Sequence, residues 1–337
     1  MSFWALEDRL IISHGKTRHS SCVCSNYILA PVMQPVISVW VITYNHAEFI
    51  RACLDSILLQ RTNYSLEVCI GEDDSTDGTR EICQEYAKRY PDVIRLFLRD
   101  RCDPRRLNSV GVWQFNFIET FRACQGRYIA TCDGDDYWCD PNKLQTQVDY
   151  LEAHPEFSGC FHKIARVDAK GSVICADCGY PPRRQESYSL NYLLRHSNFS
   201  PMLSTVFRNR GDIAPEWIME APFGDMVVHA GNLRHGNYGF IDKVMGCYRI
   251  HAGGLASGAS RLQNVRSTLE VYRLLGKYYR LDDRPAFRQG IRALRLSIIV
   301  EVFLDKFLPA KFKRYVDSVI GAQFRSIVRY VLTLWRV

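Results

Sequence analysis

Alternation of buried-type strands with amphipathic helices is the feature that most constrains the fold of this chain. Residues 36–42 form a nearly continuous apolar run, the pattern expected of a parallel strand covered on both faces. Apolar residues then recur at three- and four-residue spacing over residues 49–58, which predicts a helix with Asn45 as its N-cap. Further strands at 66–71 and 93–98, separated by a second helical segment, complete a βαβαβ pattern. Such alternation implies a parallel sheet joined by right-handed crossovers.

The same logic divides the rest of the chain. The spacing predicts a helix at 112–123, a strand at 128–132, a helix at 141–152, strands at 157–167 and 204–208, and an irregular hairpin or loop at 173–182. With 337 residues, of which 47% are hydrophobic and 23% charged, the chain is long enough for one large domain with an appendage. We therefore predict an irregular extension over 1–34, an α/β domain over 35–255 and a basic helical extension over 256–337.

Three carboxylates follow the strand at 128–132 directly. Asp133, Asp135 and Asp136 lie within four residues of one another and repel each other unless a cation or a set of hydrogen-bond donors compensates. Oxygen ligands favour Mg²⁺, Mn²⁺ or Ca²⁺, and the first two usually share their coordination sphere with substrate phosphates. The pattern therefore predicts a metal site, with a solvated acidic loop as the alternative.

A second acidic cluster strengthens this prediction. Glu72 and Asp73 follow the strand at 66–71, and the turn at 75–79 then opens the next helix. Open α/β sheets bind ligands beyond the carboxyl ends of their strands. Because both clusters stand at such ends, we expect them to face one crevice.

Cysteine usage and the absence of long apolar runs bear on the compartment. The thirteen cysteines are an odd number and mostly fall within apparent strands and helices, as small buried residues do. The Cys175–Cys178 pair lacks a second ligand pair at zinc spacing, which disfavours a metal or redox role for it. There is neither a signal-peptide pattern nor an apolar run of about eighteen residues. We expect a cytoplasmic protein, either free or peripheral on the cytoplasmic face of the plasma membrane.

Three segments carry a resemblance to a known family. Residues 35–45, 72–79 and 126–136 resemble, in motif, order and spacing, the inverting family 2 glycosyltransferases, which have a GT-A fold with a Rossmann-like, mostly parallel sheet flanked by helices. The resemblance implies that a nucleotide-sugar donor is held at the ends of the first two strands. The matching positions are Thr43, Tyr44, Asn45, Glu72 and Asp73.

The resemblance also assigns metal and catalytic roles. It implies that Asp133, Asp135 and Asp136 hold Mn²⁺ or Mg²⁺ against the donor diphosphate, with Asp136 the leading candidate for direct ligation and Asp133 also counted in the donor site. Asp225 matches the general base that takes the proton of the acceptor hydroxyl. The alternative is that Asp225 only caps the helix that it opens.

The segment at 248–254 resembles the YRxHxGG sequence of many bacterial members of the family. The resemblance implies that Arg249 and His251 reach the diphosphate or metal, and a buried structural Arg/His pair is the alternative. The chain lacks the QxxRW motif of the processive synthases, which favours transfer of a single sugar.

The C-terminal zone differs from the rest in charge. Residues 256–337 contain sixteen Lys and Arg against six Asp and Glu, with apolar residues interleaved, and the whole chain has a net charge of +7. The pattern predicts amphipathic helices whose basic faces suit an anionic membrane surface. Helices packed on the catalytic domain are the alternative, and nucleic acid is not expected as a partner because no binding motif accompanies the charge.

Together these features predict a metal-dependent inverting glycosyltransferase. We expect it to move one sugar from a nucleotide-sugar to a hydroxyl acceptor, such as a lipid-linked oligosaccharide, in the biosynthesis of O-antigen, capsule or exopolysaccharide. One alternative is a nucleotidyltransferase, although no glycine-rich phosphate loop follows the first strand. A non-catalytic scaffold that binds sugar nucleotides or membranes is another, and a two-carboxylate glycosidase is disfavoured by the clustering of the acids.

Overall fold

The computed structural model describes residues 35–108, 113–178, 185–254 and 260–307. Its strands are β1 (Ile37–Thr43), β2 (Leu66–Glu72), β3 (Ile94–Leu98), β4 (Tyr128–Thr131), β5 (Tyr137–Trp138), β6 (Phe157–Asp168), β7 (Val173–Cys175), β8 (Ser187–Tyr188), β9 (Val206–Arg208) and β10 (Asn237–Ile250). Its α-helices are α1 (Ile50–Leu58), α2 (Thr79–Arg89), α3 (Trp113–Ala123), α4 (Lys143–Ala153), α5 (Leu190–His196), α6 (Asp225–Leu233), α7 (Arg261–Tyr279) and α8 (Pro285–Phe307). The extension predicted at 1–34 lies outside the described residues.

The strands form one sheet in the order β3-β2-β1-β4-β9-β6-β10-β5. The first four strands of this order are parallel, as are the long strands β6 and β10, whereas β9 runs antiparallel between β4 and β6. Short antiparallel strands complete the sheet: β5 and β8 pair with β10, and β7 pairs with β6. The predicted α/β sheet flanked by helices is confirmed.

Both faces of the first strand are buried, which explains its nearly continuous apolar sequence. Val39 and Val41 point to one side, where α1 provides Ile50 among its buried residues. Trp40 points to the other side and packs against Phe117 of α3, with ring centroids 4.4 Å apart. Because successive side chains of a strand alternate between faces, a strand covered on both faces needs apolar residues at every position.

Two local expectations differ from the structure. Asn45 does not cap α1, because the helix begins at Ile50 with Phe49 at the N-cap position, and Asn45 instead adopts a positive φ of 52° in the preceding loop. Strand β10 was not predicted as a strand. It is interrupted by register shifts against β6 between Ile241 and Gly246, which break the alternation that sequence patterns detect.

The helices α7 and α8 pack on the remainder of the fold through α5. The Tyr272 hydroxyl of α7 donates one bifurcated hydrogen bond, shared between the carbonyl oxygens of Leu193 (3.1 Å) and Leu194 (3.0 Å) at the end of α5. Gly290 of α8 is so close that a Cβ placed there would lie 2.0 Å from the Leu194 carbonyl oxygen. None of the helices in the described ranges is long and apolar enough to span a bilayer.

This contact leads to a stability prediction. We expect Gly290→Ala to lower the free energy of unfolding by about 1–3 kcal/mol, because overpacking against backbone outweighs the better helix propensity of alanine. Gly211→Ala is the matched control, since a Cβ there meets nothing within 4 Å. Urea denaturation followed by circular dichroism measures both variants. Equal stabilities would mean that α8 does not rest against α5.

Candidate functional site

The predicted site residues gather beyond the carboxyl ends of β1, β2 and β4. The Asp73 backbone N–H donates to the Thr43 carbonyl oxygen at 3.0 Å, which joins the ends of β1 and β2. The Gly134 N–H donates to the Ile42 carbonyl oxygen at 2.9 Å, which joins the acidic loop after β4 to β1. The sheet therefore brings the two acidic clusters to one edge.

Asn45 ties the loop after β1 to the loop after β2. Its backbone N–H donates to the Ser75 hydroxyl (2.9 Å), and its side-chain oxygen accepts from the Thr76 N–H (3.0 Å). The neighbouring His46 N–H donates to the Thr79 hydroxyl at 2.8 Å. The role of Asn45 in this structure is thus to hold the two loops together, with its own side chain engaged.

Glu72 is fully buried and supports the same loop. One carboxylate oxygen accepts from the Ser75 N–H at 2.7 Å, and the other accepts from the Arg80 Nε at 2.5 Å. Both oxygens already have partners within the protein. Glu72, the residue before Asp73, therefore orients the loop after β2.

Asp73 lies between two arginines that follow β3. One oxygen accepts from Arg106, and the other lies 3.4 Å from the Arg101 Nη2. Burial raises the pKa of Asp73 in spite of these two cations. The Arg101 guanidinium also stacks on the Tyr44 ring, 3.5 Å from its centroid. This group offers a planar stacking surface beside a carboxylate and cationic donors.

The acidic loop after β4 has a high density of negative charge. Burial, followed by the charges of Asp135 and Asp225, raises the pKa of Asp133 well above its usual range. Burial and the two neighbouring carboxylates also raise the pKa of Asp136. Burial acts in the same direction on Asp135, but hydrogen bonding to His251 and the charge of His46 outweigh it and lower the pKa of Asp135. Asp135 is thus the carboxylate that the surroundings stabilise in its charged form.

Two histidines converge on Asp135. The His251 Nε2 lies 3.0 Å from the Asp135 Oδ2, and the His46 Nε2 lies 3.8 Å from the same oxygen. One ligand atom from each of the three residues falls within 4.8 Å of the others. Ligands about 2.1 Å from a common ion are at most about 4.2 Å apart, so a small inward adjustment suffices for coordination. The donor set fits a divalent cation.

Asp136 and Arg249 hold this site in place. Asp136 is 2% exposed, and its Oδ1 accepts from the Arg249 backbone N–H at 2.8 Å. The Arg249 guanidinium donates to the carbonyl oxygens of Asp135 (2.9 Å), Asp168 (3.2 Å) and Ala169 (3.0 Å). These bonds direct Arg249 towards the protein backbone and fasten the end of β10 to the acidic loop.

Asp225 is the first residue of α6, and Gly224 occupies the N-cap position without a side-chain cap. Among the described residues, the Asp225 side chain has no ion pair, and its own backbone N–H is the hydrogen-bond donor that acts on its pKa. Burial raises the pKa of Asp225, and its charge in turn contributes to the raised pKa of Asp133. Asp225 therefore faces the acidic loop as a carboxylate whose affinity for a proton is increased.

Sequence patterns did not single out three of the neighbouring residues. His46 lies directly after Thr43–Asn45, and the two arginines that bind Asp73 follow β3 at the same sheet edge. The place of these three residues in the sequence could have indicated them, because residues just beyond a parallel strand belong to the ligand-binding edge of the sheet. Their residue types could not, since arginines and histidines are also common in solvated loops.

Part of the chain is similar to known proteins. Residues 38–172 match the family model "Glycosyl transferase family 2". An uncharacterized protein of Mycobacterium tuberculosis is 37% identical over 217 residues, which cover 64% of this chain and 58% of that relative. The putative teichuronic acid biosynthesis glycosyltransferase TuaG of Bacillus subtilis is 32% identical over 118 residues, covering 35% of this chain and 42% of TuaG. The chain thus spans only 58% of the length of the mycobacterial relative and 42% of the length of TuaG.

Solved structures share the fold. Residues 1–349 of TarS from S. aureus, in complex with UDP-GlcNAc, superpose with a TM-score of 0.53 at 15% identity. The match covers 82% of this chain and 76% of the TarS chain. Together with the family match and the strand order described above, it identifies the sheet as that of a GT-A-type glycosyltransferase. Residues 38–172 therefore form a family 2 glycosyltransferase domain.

Proposed function

We propose that the protein is a metal-dependent, inverting glycosyltransferase that moves a single sugar from a nucleotide-sugar to a hydroxyl acceptor. The observation that carries the proposal is the convergence of His46, Asp135 and His251 beside Asp225 at the ligand-binding edge of a family 2 sheet. Such an edge supplies a cation site and a base to the same crevice. A scaffold without catalytic activity has no need of the base.

The donor nucleoside is proposed to bind at the ends of β1 and β2. Tyr44 and Arg101 offer flat surfaces for stacking on a base, and Asp73 and Arg101 offer an acceptor and donors for its polar edge. Arg101 fills part of this space in the structure, so binding of a base would move its guanidinium. The UDP-GlcNAc in the TarS structure makes a uridine nucleotide the first candidate for the donor.

A divalent cation is proposed to be held by Asp135 with His46 and His251, rather than primarily by Asp136. The mixed nitrogen and oxygen donors favour Mn²⁺ over Mg²⁺, which prefers oxygen ligands alone. When bound, such an ion supplies Lewis-acid stabilisation of a departing diphosphate. Asp136 and Arg249 do not bind the ion in this proposal. The hydrogen bond between them holds the acidic loop against the end of β10.

Asp225 is proposed to act as the general base. It accepts the proton of the acceptor hydroxyl while that oxygen attacks the anomeric carbon from the face opposite the leaving diphosphate. One such displacement inverts the anomeric configuration. The raised pKa of Asp225 suits this role, because a base whose pKa lies closer to the working pH accepts a proton more readily.

The acceptor is proposed to be a lipid-linked saccharide of a bacterial surface polysaccharide. TuaG, by its name a teichuronic acid biosynthesis glycosyltransferase, supports the polysaccharide context. The basic residues of the C-terminal zone support contact with an anionic membrane surface on the cytoplasmic side. The packing of α7 and α8 on α5 is compatible with this, since their outer faces carry the charge.

Calorimetric titration of the purified protein with UDP, GDP, dTDP and CDP tests the proposal. Each nucleotide is titrated with Mn²⁺, with Mg²⁺ and with EDTA. We expect metal-dependent binding of one nucleotide, UDP first among them, and loss of that binding in EDTA. Absence of binding to all four nucleotides with both metals would contradict the donor-site assignment. Binding with cleavage of a nucleoside triphosphate would favour the nucleotidyltransferase instead.

A further inference from the structure

Two cysteines lie across neighbouring strands next to the acidic loop. In the antiparallel β5–β10 ladder, Trp138 pairs with Gly246 and Tyr137 pairs with Cys247. Cys139, two residues after Tyr137, points to the same face of the sheet as Tyr137 and is therefore a diagonal neighbour of Cys247. Each thiol also shifts the pKa of the other, so the two side chains are close enough to interact.

The pair is accessible from solvent through Cys139. Cys139 is exposed and lines a cavity of about 430 Å³ together with Arg61, Trp138 and six other residues. Cys247 is buried behind it, at 6% exposure. A small oxidant or a low-molecular-weight disulfide can thus reach the Cys139 sulfur from solvent. The Cys247 sulfur can then react with the modified Cys139 from the protein side.

A second close pair provides a contrast inside the same molecule. The sulfurs of Cys53 and Cys132 are 3.7 Å apart, but both residues are completely buried. Burial raises the pKa of Cys132 well above its usual range, which keeps this thiol protonated and unreactive. By contrast, the interaction with the Cys139 thiol lowers the pKa of Cys247 to about 6, and it raises the pKa of Cys139. The Cys139–Cys247 pair therefore differs from the buried pair in having one thiol exposed to solvent and a second thiol with a lowered pKa.

We propose that Cys139 and Cys247 form a reversible disulfide that joins β5 to β10 under oxidising conditions. The backbone needs only a local change, because β5 is a two-residue strand at the end of the sheet order. Diagonal strand neighbours have Cα atoms about 7–8 Å apart. A disulfide requires about 4.4–6.8 Å, so a shift of about 1 Å or more in β5 accompanies the bond.

Glutathione disulfide serves as the oxidant. The Cys139 thiol gives its proton to the Cys247 thiolate, and the resulting Cys139 thiolate attacks one sulfur of glutathione disulfide and releases one glutathione thiolate. The Cys247 sulfur then loses its proton, attacks the Cys139 sulfur and displaces the second glutathione. The two cysteines lose two electrons and one proton in total, and the products are one glutathione thiol and one glutathione thiolate.

The bond is expected to act on the neighbouring site. Cys139 lies three residues after Asp136, and Cys247 lies two residues before Arg249, whose N–H binds the Asp136 carboxylate at 2.8 Å. A shift of β5 against β10 therefore displaces the hydrogen bond that fastens the acidic loop. We expect the oxidised protein to bind a metal-nucleotide complex several-fold more weakly, and this effect rests on the proposed function.

Peptide mapping tests the disulfide without reference to activity. The full chain is incubated with glutathione disulfide, blocked with iodoacetamide and digested with trypsin without reduction. We expect a cross-link between residues 128–143 and 244–249 that disappears on treatment with dithiothreitol. Because residues 128–143 also contain Cys132, the Cys139→Ser variant is digested in parallel and should lack the cross-link.

Three results would overturn the proposal. They are persistence of the cross-link in Cys139→Ser, a cross-link from residues 52–61 to 128–143 in its place, and a glutathione adduct on Cys139 that does not proceed to a protein disulfide.

Titration with Mn²⁺ and UDP before and after oxidation tests the coupling between the disulfide and nucleotide binding. Unchanged affinity in the cross-linked protein would contradict the coupling alone. A reduced protein that binds no nucleotide would instead contradict the proposed function and leave the mapped disulfide standing.

Discussion

Asp225→Asn is expected to lower kcat for sugar transfer by about 10²–10⁴-fold, the contribution typical of a general base, while nucleotide affinity stays within about twofold. Asparagine keeps the shape of the side chain but cannot accept the hydroxyl proton. Because burial raises the pKa of Asp225, the wild-type rate should fall as the pH is lowered through that raised value, where the base becomes protonated. The variant should lose this acidic limb of the pH–rate profile.

Glu81→Gln is the matched control for this experiment. Glu81 is likewise an acid in the first turn of a helix, in α2, but it is exposed to solvent. If Asp225 only interacted with the dipole of its helix, both variants should lower the free energy of unfolding by a similar small amount of about 0.3–1 kcal/mol. Wild-type turnover in Asp225→Asn, measured by nucleotide release with a saccharide acceptor, would remove Asp225 from the mechanism. Loss of nucleotide binding in that variant would point to a structural role.

Asp135→Ala is expected to weaken metal-dependent nucleotide binding by about 100-fold, or ~2.8 kcal/mol. The alanine removes the carboxylate that both histidines approach, so the cation loses its anionic ligand. Any weak binding that remains in EDTA should be the same in the variant and in the wild type, because the proposed nucleoside contacts at Asp73 and Tyr44 are unchanged. Calorimetry with Mn²⁺, Mg²⁺ and EDTA separates the metal-dependent part.

Two further variants sharpen the result. His46→Ala should weaken Mn²⁺-supported binding more than Mg²⁺-supported binding, since imidazole is a poorer ligand for Mg²⁺. Asp283→Ala removes a fully exposed carboxylate between α7 and α8 and should bind like the wild type. If Asp135→Ala retained full metal dependence and Asp136→Ala lost it, the cation would have to be assigned to Asp136, as the sequence resemblance suggested.

The sheet edge was largely predictable from sequence because its strands are continuous and end in distinctive residues. The apolar run of β1 requires cover on both faces, and the strand–helix alternation requires parallel neighbours. The acids after β2 and β4 therefore had to emerge at one edge, as the contacts of Thr43, Asp73 and Gly134 show. The family resemblance also indicated Asp225 and His251, although the sequence could not show where their side chains lie relative to the acidic loop.

Other parts of the site depended on contacts between distant segments. His46 belongs to the proposed metal-binding group only because β10 returns to bring His251 beside Asp135. The bulged β10 has no clean period, so its pairing with β6 was not visible in sequence. Asp73 gains Arg101 and Arg106 from the turn after β3, and Arg249 turns its guanidinium to backbone carbonyls rather than outward.

By itself, the sequence determined the class of fold, the order of the first elements and the edge at which acids would meet. These properties follow from local period and from the chemistry of strand ends, which act within a few residues. The tertiary structure decided which carboxylate is stabilised in its charged form, which arginines are engaged and which cysteines touch. Those outcomes depend on burial and on side chains separated by about a hundred residues, such as His251 and Asp135, whose distance is fixed only when the sheet is assembled.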